Sequence, residues 1–237
     1  MSEGASLKGD ERARYVQAMF ARIADRYDMM NRLMTAGQDV GWRREAIHRA
    51  TLGPGGRLLD LGAGTGDLAL EALRQRPDGR LTAADFTLEM MRVGKRRPDA
   101  IRLDWAAADA LSLPFEDESF EAVVSGYLLR NVGDVRRALQ EQFRVLKPGG
   151  RMIALDTTRP SPGPFSPLIS FHLRRVIPAL GRLVTGDSDA YTYLPSSTEG
   201  FLSAEQLAGR MVAAGFHQVG FRRLMLGTMA IHWGVKA

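Results

Sequence analysis

The chain contains no cysteine, which removes disulfides, thiolate metal ligands and any cysteine nucleophile. It has four histidines, and they are dispersed: His48 and His172 fall on expected helices, His217 and His232 at late strands. That spacing gives neither a metal-ligand set nor a serine-histidine-aspartate arrangement, so no metal is expected. No apolar run approaches the roughly 18 residues that would cross a bilayer. The opening stretch MSEGASLKGDERARY lacks the apolar segment of an export signal, so a cytoplasmic location is expected. Internal repeats and low-complexity tracts are also lacking.

What is present is ordinary globular composition, with 45% hydrophobic and 25% charged residues over 237 positions. That length suits one generous α/β domain, 1–237, carrying insertions. The net charge of +5 and a pI near 9.9 suit a polyanionic neighbour, either nucleic acid or the anionic face of a membrane. The basic residues come in scattered groups, Arg43-Arg44, Lys95-Arg96-Arg97, Arg136-Arg137, Arg174-Arg175 and Arg222-Arg223, which read as solvated faces.

Along the chain, residues 11–33 read as a helix with Phe20, Ile23, Ala24, Tyr27, Met30 and Leu33 or Met34 at helical spacing. After the turn GPGG, the short apolar run RLLDLG becomes glycine-rich, as a buried strand entering a loop should. A helix over 66–75, strand 80–85, helix 87–97 and strand 101–109 continue a βαβαβ rhythm, which implies a parallel sheet with right-handed crossovers. A fourth strand is expected at 120–129, a helix at 134–146, and a tight turn LKPGG into a fifth strand RMIALDT. Residues 159–200 break the rhythm and suit an insertion or lid, with a helix from about 165 to 184. Ser203 and Gln206 form a capping-box pattern before the last helix, and strands at 217–224 and 228–236 finish a seven-stranded, mostly parallel sheet.

The densest chemical signal is LLDLGAGTGDLAL, residues 58–70. Gly62, Gly64 and Gly66 lie between a strand and a helix and let the backbone approach a ligand closely. A dinucleotide fingerprint would want its third glycine one place later, at Asp67. Asp85 closes the second strand about 20 positions on, where a carboxylate accepts from ribose hydroxyls. Asp109 closes the third strand in AAADAL and can accept from an exocyclic adenine amine. Three acidic residues, Asp60, Asp85 and Asp109, at or near the carboxyl ends of successive strands converge on one crevice. With LPFEDESFEAVVS and LKPGG behind them, the pattern resembles a Rossmann-like class I S-adenosylmethionine methyltransferase.

A closer resemblance covers nearly the whole chain. FARIADRYDMMNRLMTAGQDVGWRR, GYLLRNVGDVRRAL and PALGRLVTGDSDAYTYLPSS are similar, in that order, to three blocks of the ubiquinone/menaquinone biosynthesis C-methyltransferases. The resemblance implies S-adenosylmethionine as cofactor, held by Asp60, Gly62, Gly64, Thr65, Asp85, Asp109, Ala110 and Gly126. It implies a quinol pocket faced by Tyr27, Arg130, Asn131, Tyr191 and Tyr193, with Arg130, Asn131 and Tyr27 acting in catalysis. Residues 1–50 would then be a helical segment on the substrate side. Where the family usually has serine-phenylalanine-glycine before Leu-Arg-Asn, this chain has Gly126, Tyr127 and Leu128, which removes a hydroxyl on the cofactor side and adds bulk near the pocket.

In such chemistry the sulfonium methyl is already electrophilic, so catalysis is positioning plus activation of the acceptor as a phenolate. A guanidinium stays protonated, so Arg130 is expected to stabilise the phenolate and orient a water, with Asn131 helping to place it. The expected acceptor is a demethylmenaquinol, with a benzoquinol precursor of ubiquinone as the alternative. The partners implied are the prenylated quinol and an anionic membrane surface, reached through the 165–184 helix with Arg174, Arg175 and Arg182; a homodimer stays open. Nucleic acid is not expected, because the cysteine for C5-methylation of pyrimidines and an asparagine- or aspartate-Pro-Pro-aromatic motif after strand four are both missing. Methylation of oxygen or nitrogen on another small molecule, and a silent scaffold role in a quinone-synthesis assembly, remain as competing readings.

Overall fold

A computed structural model describes residues 9–160 and 200–237, together with Leu7, Gly163, Ser166–Phe171, Arg175, Val176, Ala179, Tyr193, Ser197 and Thr198. Seven strands form one sheet: β1 (Arg57–Leu61), β2 (Arg80–Asp85), β3 (Asp104–Ala107), β4 (Phe120–Gly126), β5 (Leu146–Thr157), β6 (Phe216–Leu224) and β7 (Met229–Lys236), in the order β3-β2-β1-β4-β5-β7-β6. The pairs from β3 to β5 are parallel, and β7 runs antiparallel to both of its neighbours. The α/β class and the mostly parallel seven-stranded sheet expected from the sequence are therefore present.

The helices are α1 (Gly9–Ile23), α2 (Tyr27–Met34), α3 (Gln38–Ala50), α4 (Asp67–Gln75), α5 (Leu88–Lys95), α6 (Val135–Val145), α7 (Ser166–Phe171) and α8 (Ala204–Ala213). Alternation along the strands feeds two cores. Leu58, Leu81, Ala122 and Ile153 point to one face and pack with Trp42, Ala46 and Ile47 of α3 and Leu68, Ala72 and Leu73 of α4. Leu59, Leu61, Val123 and Met152 point to the other, against Leu139 of α6, Met211 of α8 and Phe216. Burial on both faces is why β1 reads as a nearly continuous apolar run. A third, smaller cluster joins Met19, Ile23, Met30 and Tyr193.

Several boundaries differ from the sequence reading. The expected helix 11–33 is two helices separated by a 3-10 turn at Ala24–Arg26; apolar spacing continues through the turn, so periodicity could not mark it. Helix α3 has no strong apolar stripe because Asp39 and Arg43, both buried, occupy core-facing positions. The KPGG segment is not a turn outside the strand: Leu146 already pairs with Phe120, and the register then shifts so that Arg151 pairs with Ala122. The third strand is confined to Asp104–Ala107, and the fourth ends at Gly126 because Tyr127 turns to a φ of +59°. The Ser203 capping box forms as expected, with Gln206 N–H donating to Ser203 Oγ and Ser203 N–H to Gln206 Oε1.

The strand order reverses between β1 and β4, and in a sheet of this kind the crevice lies beyond the carboxyl ends at that reversal. Helix α1 roofs part of it, since Gly9, Ala13, Val16, Gln17 and Phe20 lie on one helical face and line the cleft.

Candidate active site

The cleft has a volume of about 360 Å3 and is lined by the ends of β1, β2 and β4 and by α1, a size in the usual range for small-molecule sites. Its floor is the glycine loop. Gly62 and Ala63 N–H both donate to Ala84 O, at 2.8 and 3.0 Å, which ties the loop to β2. Gly64 has a φ of +57° and Gly66 one of +85°, backbone that side chains disfavour. A Cβ on Gly62 would lie 2.8 Å from Leu128 Cδ1, so this leucine closes directly on the loop.

Asp85 holds that loop. Its Oδ2 accepts from Gly64 N–H at 2.7 Å and its Oδ1 from Thr87 N–H at 2.6 Å. Each oxygen keeps a second lone pair, so ribose hydroxyls can be accepted without breaking either bond. Burial pushes the Asp85 carboxyl above the usual carboxylate range, against the pull of these amides. Asp60, at the end of β1, accepts from Ala69 N–H at 2.9 Å through Oδ2 while Oδ1 is buried with no partner. Its carboxyl is pushed up to about 7, by burial first and by the neighbouring Asp85 and Asp67 next. Asp109 is exposed at the lip of the cleft, where its Oδ1 accepts from Leu111 N–H at 2.9 Å; Ala110 beside it is buried in the wall.

An ion-pair network that the sequence did not announce stands beside the loop. Arg43, read from the sequence as half of a solvated basic pair, is buried because it bonds Asp39 on its own helix and Asp67 at 3.0 Å. Arg97 bridges to Asp67 at 2.7 Å, to Asp28 at 3.4 Å and to Thr65 O at 3.0 Å. Thr65 turns its hydroxyl to Asp28 Oδ1 at 2.7 Å. The spacing of these partners, 28 to 97 in sequence, leaves no local motif; only Asp67, standing where a dinucleotide fingerprint has glycine, carried a signal.

The residues carried over from the quinol pocket are placed differently from one another. Tyr27 and Asn131 line the cleft. Tyr27 packs edge-on against Phe20, and burial raises its phenol above the ordinary value. Asn131 Nδ2 donates to Tyr127 O at 2.8 Å and its Oδ1 accepts from the Tyr193 hydroxyl at 3.1 Å. Tyr193 itself is fully buried among α1 and α2, so it supports Asn131 from behind. Tyr191 lies outside the described residues. Arg130 is 5% exposed and is not among the residues lining the cleft. It faces Asp156, Nη1 to Oδ1 at 3.6 Å, with its Nε unpartnered and its guanidinium 5.2 Å from the centre of the Tyr127 ring. Gly126 lines the cleft, and a Cβ there would meet Leu68 Cδ1 at 3.1 Å.

The charge of the cleft opposes that of the chain. Among the described residues, Asp28, Asp60, Asp67, Asp85, Asp109 and Asp134 line it against one basic residue, Arg43, although the chain carries +5. Asp60 Oδ1, buried and unpartnered, wants a donor or a positive charge. A sulfonium nucleoside, cationic at one end and rich in hydroxyl and amine donors at the other, fits this set. Among the described residues no group of three histidine or acidic side chains could hold a metal ion.

Comparison with known proteins adds sequence relationships to this geometry. The model of the ubiE/COQ5 methyltransferase family matches residues 8–236. A protein of Desulfotalea psychrophila named ubiquinone/menaquinone biosynthesis C-methyltransferase UbiE is 48% identical over 221 residues, covering 93% of this chain and 90% of the relative. The demethylmenaquinone methyltransferase of Roseiflexus castenholzii is 43% identical over 231 residues, 96% of this chain and 95% of the relative. Among solved structures, a SAM-dependent methyltransferase of Thermotoga maritima superposes with a TM-score of 0.66 at 20% identity, over 93% of this chain and 99% of that one. At that identity the likeness speaks to the fold alone.

Proposed function

The chain belongs to the ubiE/COQ5 methyltransferase family and is an S-adenosylmethionine-dependent C-methyltransferase of quinone biosynthesis, and from that premise we propose that it methylates a ring carbon of a demethylmenaquinol. The observation that carries the acceptor is the kinship over nearly full length to a protein named for demethylmenaquinone. The cleft wall supports it: Val16, Phe20, Phe86, Leu111, Leu128 and Val132 offer apolar surface to a two-ring acceptor.

Bound S-adenosylmethionine supplies an electrophilic methyl group. In this reading Asp85 accepts from the ribose, Asp109 from the adenine amine, and Thr65, Ala110, Gly62, Gly64 and Gly126 shape the wall, while Asp60 faces the cationic end. A quinol carbon becomes nucleophilic once the neighbouring hydroxyl is ionised, and a free phenol has a pKa of about 10, so the cleft must favour the phenolate. Tyr27 and Asn131 orient the ring and the water that carries its proton away. Arg130 serves as a positioning residue: its positive charge, fixed by Asp156 behind Tyr127, favours negative charge on the ring without touching it.

The acceptor's prenyl tail stays in a bilayer, so the same proposal makes the protein peripheral to membranes. A second reading, a benzoquinol acceptor, is favoured by the D. psychrophila relative, whose name covers both quinones, and by Leu128 narrowing the cleft over Gly62. Competition between short-chain demethylmenaquinol and the matching benzoquinol, with labelled cofactor and under reducing conditions, decides by the ratio of kcat/KM. The naphthoquinol is expected to win; a ratio favouring the benzoquinol, or methylation of neither, overturns the acceptor.

A further inference from the structure

We propose that the Tyr127 hydroxyl is a substrate-binding group, a hydrogen-bond donor to a ring oxygen of the acceptor. The inference rests on the quinol reading above. Tyr127 lines the cleft directly after β4 and takes a left-handed φ of +59°. A bulky aromatic residue persists in that conformation only when its surroundings impose it, and such outliers gather at functional sites. Here Tyr127 N–H donates to Leu155 O at 2.8 Å and Tyr127 O accepts from Asn131 Nδ2 at 2.8 Å, which fixes the turn.

The hydroxyl at the end of that ring is buried and has no hydrogen-bond partner, in a residue 9% exposed. Buried hydroxyls rarely stay unpaired, so the group points to a ligand. The charged and titratable groups around it are Arg43 and Asp39 of α3, Tyr27 of α2, and Arg130. None of the charged ones answers it. Arginines cannot accept, and the Asp39 oxygens are taken by Arg43, Arg32 and the Thr35 hydroxyl. The flanking arginines favour an oxygen with negative charge, which is the quinol phenolate. Burial holds the Tyr127 phenol above its ordinary pKa, so it keeps its proton and acts as donor rather than base.

Tyr127→Phe removes one oxygen that has no hydrogen-bond partner in the protein and leaves the ring's packing in place. In the full chain, the variant is expected to keep cofactor affinity and melting temperature while kcat falls at least about tenfold, the usual effect of losing a hydrogen bond to a charged group. The limb of kcat that reports ionisation of the bound acceptor should move up by roughly one pH unit. A readout without turnover uses 4-nitro-1-naphthol bound to the chain saturated with S-adenosylhomocysteine: its absorbance should show ionisation at lower pH in the wild type than in Tyr127→Phe. A purely structural tyrosine would leave both pH readouts in place. Quinol turnover by the wild type with an unshifted limb and unshifted naphthol ionisation in the variant overturns this inference alone; a wild type that methylates no quinol overturns the acceptor reading and this inference with it.

Discussion

Asp60 shows how one residue can be legible as a site and opaque in its chemistry. The run LLDLG places it at the end of β1, but no local pattern reveals the burial, or the repulsion from Asp85 and Asp67, that lifts its carboxyl to about 7. An unfolded aspartate titrates near a pKa of about 3.9, so between there and about 7 the native state holds a proton that the unfolded chain has released. Stability of the ligand-free protein therefore falls as pH rises through that window, by up to about 1.4 kcal/mol per pH unit for one such group. Asp85 and Asp156 are shifted in the same direction and add to the slope. Melting temperature should thus decline between pH 5 and 7, and Asp60→Asn should flatten the decline without abolishing it. A positive ligand reverses the preference and expels the proton, so cofactor affinity should rise over the same range. Denaturation at several pH values, with calorimetry in two buffers of different ionisation enthalpy, measures both; identical slopes in variant and wild type would remove Asp60 from the account.

Among the elements, those with strong periods were readable and those carrying buried polar work were not. The strands from β1 to β5 follow from apolar runs bounded by turns, whereas α3 hides behind the Asp39–Arg43 pair and the break at Ala24–Arg26 hides inside a continuous apolar stripe. Helix α5 gives the sharpest test of packing against propensity. Alanine is ordinarily favoured over glycine in a helix by about 1 kcal/mol. At Gly94, however, a Cβ would lie 2.4 Å from the Trp105 ring and 2.8 Å from Thr65 O, a backbone atom of the cofactor loop. Overpacking of this kind costs roughly 1 to 3 kcal/mol, so Gly94→Ala should destabilise rather than stabilise. Because the clash presses on Thr65, cofactor affinity should fall as well. Urea denaturation showing a gain in stability would mean that α5 moves freely against the loop.

At the scale of the whole molecule, the surplus of positive charge and the acidic cleft suit two partners of opposite sign. The aspartates suit a cationic cofactor, and on the proposal of a membrane-held acceptor the +5 chain suits an anionic surface. Of the helix first expected to meet the membrane, the side chains of Arg174 and Arg182 lie outside the described residues, so the case rests elsewhere. Among the described residues no helix is long and apolar enough to cross a bilayer. Large apolar side chains are instead exposed on elements beside the cleft: Met29 and Leu33 on α2, Phe86 and Leu88 at the end of β2 and start of α5. Phe86 also lines the cleft itself, and Arg32, Arg92 and Lys95 sit on the same helices. A prenylated ring that keeps its tail in the bilayer must enter where the cleft meets lipid, and this rim offers both apolar anchors and basic residues, each worth roughly 1 kcal/mol near anionic lipid. Sedimentation with phosphatidylglycerol vesicles should recover the protein at low ionic strength and lose it as salt rises, while pure phosphatidylcholine should recover little. Leu33→Glu should weaken vesicle binding with cofactor affinity unchanged, since Leu33 does not line the cleft. Recovery of no protein on anionic vesicles even at low salt, or equal recovery of the Leu33 variant, would separate the acceptor chemistry from any contact between this face and the membrane.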